Sequence, residues 1–436
     1  MASQSNPIID ISKEILLQAN VLSECLQRHS ITVPKDLAPG SVSQLWTTEV
    51  QEIHVLRSTI MSLTKRLDNL LEGPHGILHE YVSVNWEHGA LYALLEWKVF
   101  PSIPLDGTPI HASQLAGITG LPSAKLLRLC RLVATAGILN EPAEGCFAHT
   151  AISEELVKDE GFRSWVGFQL FETRVASAHL SDSLLESRDF WGDDGSAFKH
   201  AWGVPMYAWH KLHPEKGARF AQAMESVSQS LDPGDGMIID HLARFAASEP
   251  SKIKLMVIEV AGNGAFCRRI ASFFPFIQFE VQNPSLEVLE QGESLLGAEL
   301  RNSVRFRRRD TFAMRNTEEI ELEKLGSNEF VRTSFLIRNT LWCMKDSEVT
   351  RLLQTFVPVL QSDAGASLLI CDLVSPAWAT FEPHLERIYR RRDVTLMTMH
   401  NAKQRTAKEW TDLFLGAHPQ YQVRLRHQLR SLDCPA

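Results

Sequence analysis

The sequence lacks any paired or clustered arrangement of cysteines. It holds seven in 436 residues, with neither a C-x-x-C motif nor a Cys/His cluster. An odd and dispersed set is typical of a chain kept in a reducing compartment, and it predicts neither a disulfide framework nor a metal site. The seven are Cys25, Cys130, Cys146, Cys267, Cys343, Cys371 and Cys434.

Long apolar runs and a basic excess are missing as well. No stretch approaches the roughly 20 apolar residues that a bilayer-spanning helix needs. The start, "MASQSNPIIDISKEILLQAN", has neither the basic beginning nor the continuous apolar core of a signal peptide. A net charge of −8 also disfavours nucleic acid and anionic membranes as partners, because both select basic surfaces. We therefore expect a cytoplasmic protein that binds neither.

The N-terminal part, residues 1–160, is predicted to be helical. Apolar residues recur at three- and four-residue spacing in "ISKEILLQANVLSECLQ" and "EVQEIHVLRSTIMSLTKRLDNLL", and "VNWEHGALYALLEWKVFPSIP" predicts a further helix. The linker "HSITVPKDLAPGS" separates the first two. These helices carry more apolar surface than so small a domain could bury, so we expect a homodimer.

A winged-helix pattern follows. The segment "IHASQLAGITGLPSAKLLRLCRLVATAGILNEPAEGCFAHTAIS" predicts a helix, a turn, a second helix and a hairpin around Glu144-Gly145. The second helix carries Lys125, Arg128 and Arg131, but the wing, "NEPAEG", is acidic. Because a DNA-binding wing would be basic, the pattern favours a structural or dimerising role.

The second part, residues 161–436, combines helices with a predicted parallel sheet. The helices of residues 161–235 are rich in bulky side chains. Most such side chains belong to a protein core, but some could line a pocket for a flat or apolar substrate. Short apolar runs then alternate with helical segments, which is typical of a doubly wound α/β domain. The runs are "KLMVIEVAG", "FEVQN", "VRFRRRD", "TSFLIRN" and "ASLLICDLV", with "YQVRLRH" as a candidate edge strand.

Several blocks in this order resemble the S-adenosylmethionine-dependent O-methyltransferases of fungal and plant secondary metabolism. The blocks are "LAGITGLPSAKLLRLCRLVATAGIL" with "FAHTAIS", "RFRRRDTF", "LLICDLVSP" and "DVTLMTMHNAKQRTAKEWTDLF". The resemblance runs from about residue 90 to 425. It implies a Rossmann-like methyltransferase domain that is preceded in the chain by a helical dimerisation and winged-helix domain.

The cofactor blocks depart from the pattern of this family. The family's first strand ends in an acid followed by G-x-G-x-G, whereas this chain reads "IEVAGNGAF", with Glu259 as the acid and with Gly262 and Gly264 in the alternate phase. Asn283 stands where the family has the ribose-binding Asp, and an amide binds without charge assistance. Asp310 and Phe312 fit the adenine region. We expect S-adenosylmethionine to bind weakly and without reacting, or not to bind.

The block that carries the family's general base departs most. The family reads roughly L-R-x-x-L-H-D-W, and its His removes the proton of the substrate hydroxyl. Here "LIRNTLWCM" places Trp342 in the His position, followed by Cys343 and Met344. An indole is a hydrogen-bond donor only and cannot take a proton. The usual deprotonation is therefore not available at this residue.

Three functions fit these departures. The favoured one follows the O-methyltransferase-like pericyclases of fungal polyketide–peptide pathways, which guide dehydration and stereoselective cyclisation (Alder-ene or hetero-Diels–Alder) of a quinone methide without methyl transfer. The second is a methyltransferase with a non-standard base, His149, His400 or Cys343. The third is an inactive dimeric pseudoenzyme.

The resemblance to the pericyclases also implies site residues. A pericyclic step needs a shaped apolar cavity and a donor on a substrate carbonyl rather than a base. Arg338 is the expected donor, with Asn339 beside it where that branch has an acid, and His149 is either the branch's catalytic His or a structural residue. The expected pocket walls are Phe171, Met206, Phe220, Met224, Trp342, Met344, Met397, Met399, His400 and Asn401.

Overall fold

We analysed the protein as a computed structural model. It describes residues 6–41, 43–47, 50–185, 192, 195–230, 234–248, 253–315 and 330–423. Within this part of the chain no helix is long and apolar enough to cross a membrane.

The first region consists of paired helices, as the periodicity predicts. The helices are α1 (Pro7–Arg28), α2 (Gln44–Thr47) and α3 (Gln51–Glu96), and α1 packs along α3. The side chain of Asn6 caps α1 by accepting a hydrogen bond from the amide of Ile8. The two helices predicted between residues 50 and 96 form one element, because α3 continues through a kink at Gly73, which has φ +70°, and Pro74.

The winged-helix prediction is confirmed. A three-stranded antiparallel sheet in the order β1-β3-β2 packs on two helices, and Glu144-Gly145 forms the turn of the wing. Its apolar core includes Phe147, Leu126 and Cys130, which are fully buried. The elements are β1 (Ile110–His111), α4 (Ala112–Thr119), α5 (Ser123–Thr135), β2 (Leu139–Ala143) and β3 (Cys146–His149).

A bundle of mostly short helices, which we call the pocket helices, links this region to the sheet. It contains a π-helical turn at Gln169–Thr173, and the predicted division at residue 160 falls at the first residue of α7 and stays a prediction. The helices are α6 (Ala151–Lys158), α7 (Glu160–Phe168), α8 (Arg174–Ser177), α9 (Leu180–Ser183), α10 (Ala197–Trp202), α11 (Met206–Leu212), α12 (Pro214–Ser230) and α13 (Gly234–Ser248).

Five parallel strands form the central sheet, in the order β6-β5-β4-β7-β8. All five predicted apolar runs are confirmed as strands, which is the doubly wound α/β arrangement expected. Because the strands are parallel, their carboxyl ends meet at one edge, where such sheets place their ligands. The strands are β4 (Ile253–Val260), β5 (Ile277–Asn283), β6 (Val304–Arg308), β7 (Phe330–Arg338) and β8 (Ser367–Cys371).

Helices cover both faces of the sheet, with a separate apolar core on each face. In the candidate edge strand "YQVRLRH", residues 421–423 have no regular structure and residues 424–427 lie outside the described residues. The remaining elements are α14 (Ala265–Ala271), α15 (Leu286–Ser294), α16 (Asp346–Gln354), α17 (Val357–Ser362), β9 (Val374–Ser375), α18 (Pro383–His400), β10 (Arg405–Thr406) and α19 (Ala407–Ala417), with 3-10 turns at Phe100–Ser102, Ala298–Leu300 and Leu341–Cys343.

Candidate active site

The loop between β4 and α14 packs closely around two glycines. A Cβ on Gly262 would lie 2.3 Å from the carboxyl carbon of Glu259, and one on Gly264 would lie 2.7 Å from the ring of Phe306. Gly264 has φ +78°. Ala261 also has a positive φ, +58°, where a Cβ is strained. The loop thus keeps the tight turn of a nucleotide-binding strand end with glycines in the alternate phase.

Asn283, at the end of β5, holds this loop. Its Nδ2 donates to the carbonyl of Gly262 at 2.9 Å, and its Oδ1 accepts from the amide of Ser285 at 2.9 Å. A carboxylate could not make the first of these bonds, since it has no proton to donate. The amide keeps one N–H and one lone pair for a further partner. With Asn in place of the expected Asp, the position loses the negative charge expected to bind a ribose and gains a hydrogen bond that fixes the loop.

Glu259 is turned into the protein beneath the loop. It is 4% exposed, and the thiol of Cys267 donates to its Oε2 at 3.1 Å. Burial raises the pKa of Glu259, although Arg338 and Arg268 act in the opposite direction. The guanidinium of Arg338 lies 5.2 Å from the ring of Phe266 on α14. Arg338 thus faces the cofactor loop, and its expected role on a substrate carbonyl stays a prediction.

The adenine region is built from two residues after β6. The amide of Phe312 donates to Oδ1 of Asp310 at 3.0 Å, which closes a local turn. The guanidinium of Arg351 covers the ring of Phe312 at 3.9 Å. The expected adenine contact of these residues stays a prediction, with one face of the Phe312 ring already occupied.

The turn that carries Trp342 is held from two sides. One carboxylate oxygen of Asp372 accepts from the amides of Leu341 and Trp342 at 2.8 and 3.1 Å. Arg405, 1% exposed, donates to the carbonyls of Leu341 and Met344 at 2.8 and 2.6 Å, and its Nε donates to Asp346 at 2.8 Å. A fully buried guanidinium with three acceptors makes this turn a rigid platform.

Trp342 stands half-buried on this platform, between the sheet edge and α18. Its Nε1 donates to the carbonyl of Asn339 at 3.0 Å, and Asn339 has φ +48°. The ring of His400 meets the indole edge to face, with centroids 5.2 Å apart. Tyr207 lies 5.5 Å from His400 on its other side. His400 is 8% exposed and is the last residue of α18.

Five of the ten expected wall residues come together in one cluster, four of them on the pocket helices and one on α18. Phe171, Met206, Phe220 and Met224 belong to one apolar cluster, together with Met399. The same cluster contains Trp202 and Trp209, whose rings lie 4.7 Å apart.

Three other expected wall residues lie outside this cluster. Met344 packs instead against the core between the sheet and α16, which is explained by the turn at Leu341–Cys343 directing the chain inward. Asn401 is the left-handed C-cap of α18, and its amide bonds to the carbonyl of Met397. Met397 is half-buried on the same helix.

Sequence reasoning missed the polar groups buried among these aromatic residues. Glu172, in the π-helical turn, is 0% exposed, and its Oε2 accepts from Nη2 of Arg219 at 2.6 Å. Arg219 also pairs with Glu96 of α3 at 2.7 Å. His210 is 7% exposed and stacks on Phe220 at 4.8 Å, and among the described residues neither of its ring nitrogens has a hydrogen-bond partner. Burial lowers the pKa of His210 to about 4, so its imidazole is neutral at pH 7.

His149 lies elsewhere, in the core of the winged helix. It is 1% exposed, Nδ1 lies 2.9 Å from Oγ of Ser153, and Nε2 lies 3.3 Å from the carbonyl of Ile103. Burial lowers its pKa. Both ring nitrogens are thus satisfied within the winged helix, so the contacts favour the structural role over the catalytic role, both of which the sequence left open.

Two further features of the structure are a group of possible metal ligands and a cavity. Cys25, His29 and Glu52 place one ligand atom each within 4.8 Å of the others, which the sequence did not suggest, but Glu52 is paired with Arg28 at 2.9 Å. A cavity of about 850 Å³ lies against β8 and α19 and is bounded by the last described residues. Asp372, which accepts from the amides of Leu341 and Trp342, is one of the residues that line this cavity.

Comparison with known proteins gives consistent results. A model of the O-methyltransferase domain matches residues 178–418. The chain is 51% identical to O-methyltransferase phnC of Penicillium herquei over 96% of both chains, and 30% identical to O-methyltransferase sol2 of Alternaria solani over 96% of this chain and 92% of that one.

Solved structures of the same fold are more distant in sequence. LepI in complex with SAM superposes with a TM-score of 0.65 at 16% identity, over 93% of both chains. OxaC in complex with sinefungin and meleagrin superposes with a TM-score of 0.66 at 18% identity, over 94% of this chain and 93% of that one. At such identities the likeness shows the fold alone. The family model and the 51% identical relative go further: the chain belongs to the O-methyltransferase family.

Proposed function

We propose that the protein is an S-adenosylmethionine-dependent enzyme that methylates a hydroxyl group of a flat, largely apolar substrate. The observation that carries the proposal is the tight loop at the end of β4, where a Cβ on Gly262 or Gly264 would lie 2.3 Å from Glu259 or 2.7 Å from Phe306. A sequence identity of 51% to a relative named an O-methyltransferase supports the same reaction. The sequence favoured a pericyclase instead, and that function becomes the second candidate.

The residues at the strand ends fit the cofactor, except that the carboxylate expected to bind the ribose is absent. Glycine at 262 and 264 lets the backbone approach a ligand, and Asn283 keeps one N–H and one lone pair toward a ribose hydroxyl. Without the Asp that the family has there, the ribose loses a charge-assisted hydrogen bond, which is worth about 1.5–3 kcal/mol. When bound, S-adenosylmethionine supplies an electrophilic methyl group. We therefore propose weak but productive binding.

The pocket helices would supply the substrate site. Phe171, Phe220, Met206 and Met224 offer aromatic and thioether surface, which suits a flat ring system and adapts to its substituents. Trp342 cannot accept the substrate proton and would instead act as a wall held on its rigid turn. The proton acceptor must then be another group.

The test is transfer of labelled methyl from S-adenosylmethionine to a panel of polyhydroxylated flat aromatics. Turnover that is lost in Gly264→Val, whose side chain would meet Phe306, is the expected result. Gly117→Ala, on α4 in open space, is the matched control and should keep full activity. Absence of label in every product, with the cofactor saturating, would overturn the proposal.

A pericyclic reaction is the second candidate, and the observation that favours it is Trp342 in place of a base. A cyclisation moves no proton to the enzyme and needs a shaped apolar wall. In this case Arg338 would donate to a substrate carbonyl, and Arg338→Ala would slow the reaction roughly 10- to 100-fold, since a charge-assisted hydrogen bond contributes about 1.5–3 kcal/mol. Chromatographic isomer ratios from the dehydrated precursor test it. A product mixture identical to that in buffer alone would remove this candidate.

We also propose that the protein is a homodimer. Large apolar side chains are exposed along one stretch of α3: Leu71, Leu78, Tyr81, Val82 and Trp86 are each 63–71% exposed. An unpartnered stripe of this size on one helix is unusual for a monomer. A second copy of the chain, related by a two-fold axis, would cover it.

A further inference from the structure

We infer that His400 accepts the proton of the substrate hydroxyl, in place of the residue at position 342. The inference rests on the proposed methyl transfer and adds the missing acceptor to it. Its starting point is the edge-to-face contact between the His400 and Trp342 rings, with centroids 5.2 Å apart.

Position favours His400 over the other histidines of the region. Its ring, which is 8% exposed, lies between Trp342 and Tyr207, and Tyr207 is 51% exposed. His210 contacts Phe220 and Trp209, and within the described part of the chain neither of its ring nitrogens has a hydrogen-bond partner. His149 is bonded within the winged helix.

His400 lies at the carboxyl end of α18, with its ring against Trp342. His400 is the last residue of an 18-residue helix, where the free carbonyls of the final turn carry partial negative charge.

The step balances as follows. The O–H bond of the substrate breaks, and its proton moves to a ring nitrogen of His400. The oxygen keeps the electron pair and forms its bond to the methyl carbon, while the carbon–sulfur pair stays on sulfur and leaves a neutral thioether. The imidazolium then releases the proton to solvent past Tyr207. No oxidant, metal or further reactant is needed.

The test reads protonation directly, without the methyl donor. The probe is 1,2-dihydroxyanthraquinone (alizarin), a flat phenol whose absorption shifts to longer wavelength on ionisation. Bound to wild type at constant pH near 7, it should ionise more than in buffer, because a nearby imidazole that takes the proton lowers the phenol pKa by about 1–3. In His400→Gln the bound probe's ionisation constant should fall roughly tenfold or more.

Two variants complete the test. His213→Gln, an exposed histidine of the same region, should leave the spectrum of the bound probe unchanged. Trp342→His combined with His400→Gln should restore ionisation, because it returns an imidazole to the rigid turn. In methylation assays His400→Gln should lower kcat by about 10²-fold or more, the lower range for general-base catalysis.

The outcomes separate the two proposals. Probe bound and ionised equally in wild type and His400→Gln overturns the assignment of His400 and leaves the proposed methyl transfer standing. No binding of the probe or of related flat phenols to folded wild type overturns the aromatic substrate site, and the assignment of His400 with it.

Discussion

Replacing Glu172 by Gln should destabilise the pocket helices far more than the same change at Glu96. Both carboxylates bind one guanidinium, that of Arg219: Glu172 at 2.6 Å and Glu96 at 2.7 Å. They differ in burial, because the side chain of Glu172 is 0% exposed and that of Glu96 is 39% exposed. Glu96 also pairs with Lys216 at 3.1 Å, so the comparison sets a buried carboxylate against an exposed one that has a second cation.

The magnitude follows from the two environments. Removing one charge of a buried pair costs about 3–5 kcal/mol, because the other charge is left uncompensated. Here Arg219 keeps Glu96 and a Gln can still accept its hydrogen bond, so we expect about 2–3 kcal/mol for Glu172→Gln. For the exposed Glu96→Gln the expected cost is under about 1 kcal/mol. The π-helical turn that holds Glu172 should loosen, and substrate binding should weaken with it.

Urea unfolding followed by tryptophan fluorescence measures both variants, since Trp202 and Trp209 lie in the same cluster. The double variant Glu172→Gln with Arg219→Met should recover part of the loss, because no lone buried charge remains. Equal stability of Glu172→Gln and Glu96→Gln would refute the reasoning, and it would mean that water reaches Glu172.

Three further predictions follow. Ala261→Gly should raise the free energy of unfolding by about 1 kcal/mol, because it relieves a Cβ at φ +58°; the thermal midpoint checks this, and a lower midpoint would contradict it. Burial raises the pKa of Asp372 to about 6, above its ordinary value of 3.8, so its contribution to stability is present below pH 4 and is lost as the pH rises through 6. Relative to Asp372→Asn, wild type should lose about 3 kcal/mol between pH 4 and 7 in urea titrations, and a constant difference would refute it. Trp86→Glu should convert the proposed dimer to a monomer of about 49 kDa in light scattering, whereas a monomeric wild type at micromolar concentration would remove the dimer.

Much of the fold follows from local patterns in the sequence. The five strands were predictable because short apolar runs alternate with helical segments, and the wing because Glu144-Gly145 separates two strand patterns. The continuous α3 was not, since Gly73 and Pro74 normally end a helix but here only kink it.

The site was predictable only in part. The loss of a base at Trp342 and the altered loop at Asn283 are visible in the sequence, because they replace residues at strand ends. Asp372 also directly follows β8, which the apolar run predicts, and that position could have identified it. Glu172 and Arg219 gave no such signal: they lie 47 residues apart and meet only because α7 and α12 pack together. Pairing across helices cannot be inferred from spacing along one chain.

High-resolution mass spectrometry of the products formed with S-adenosylmethionine tests the central claim most directly. Purified enzyme, a flat phenolic substrate and the labelled donor are incubated together, and each product is weighed. Methyl transfer predicts a product heavier than the substrate by one CH₂ that carries the label. Products that are only isomers of the substrate, or that have lost water and carry no label, would contradict it.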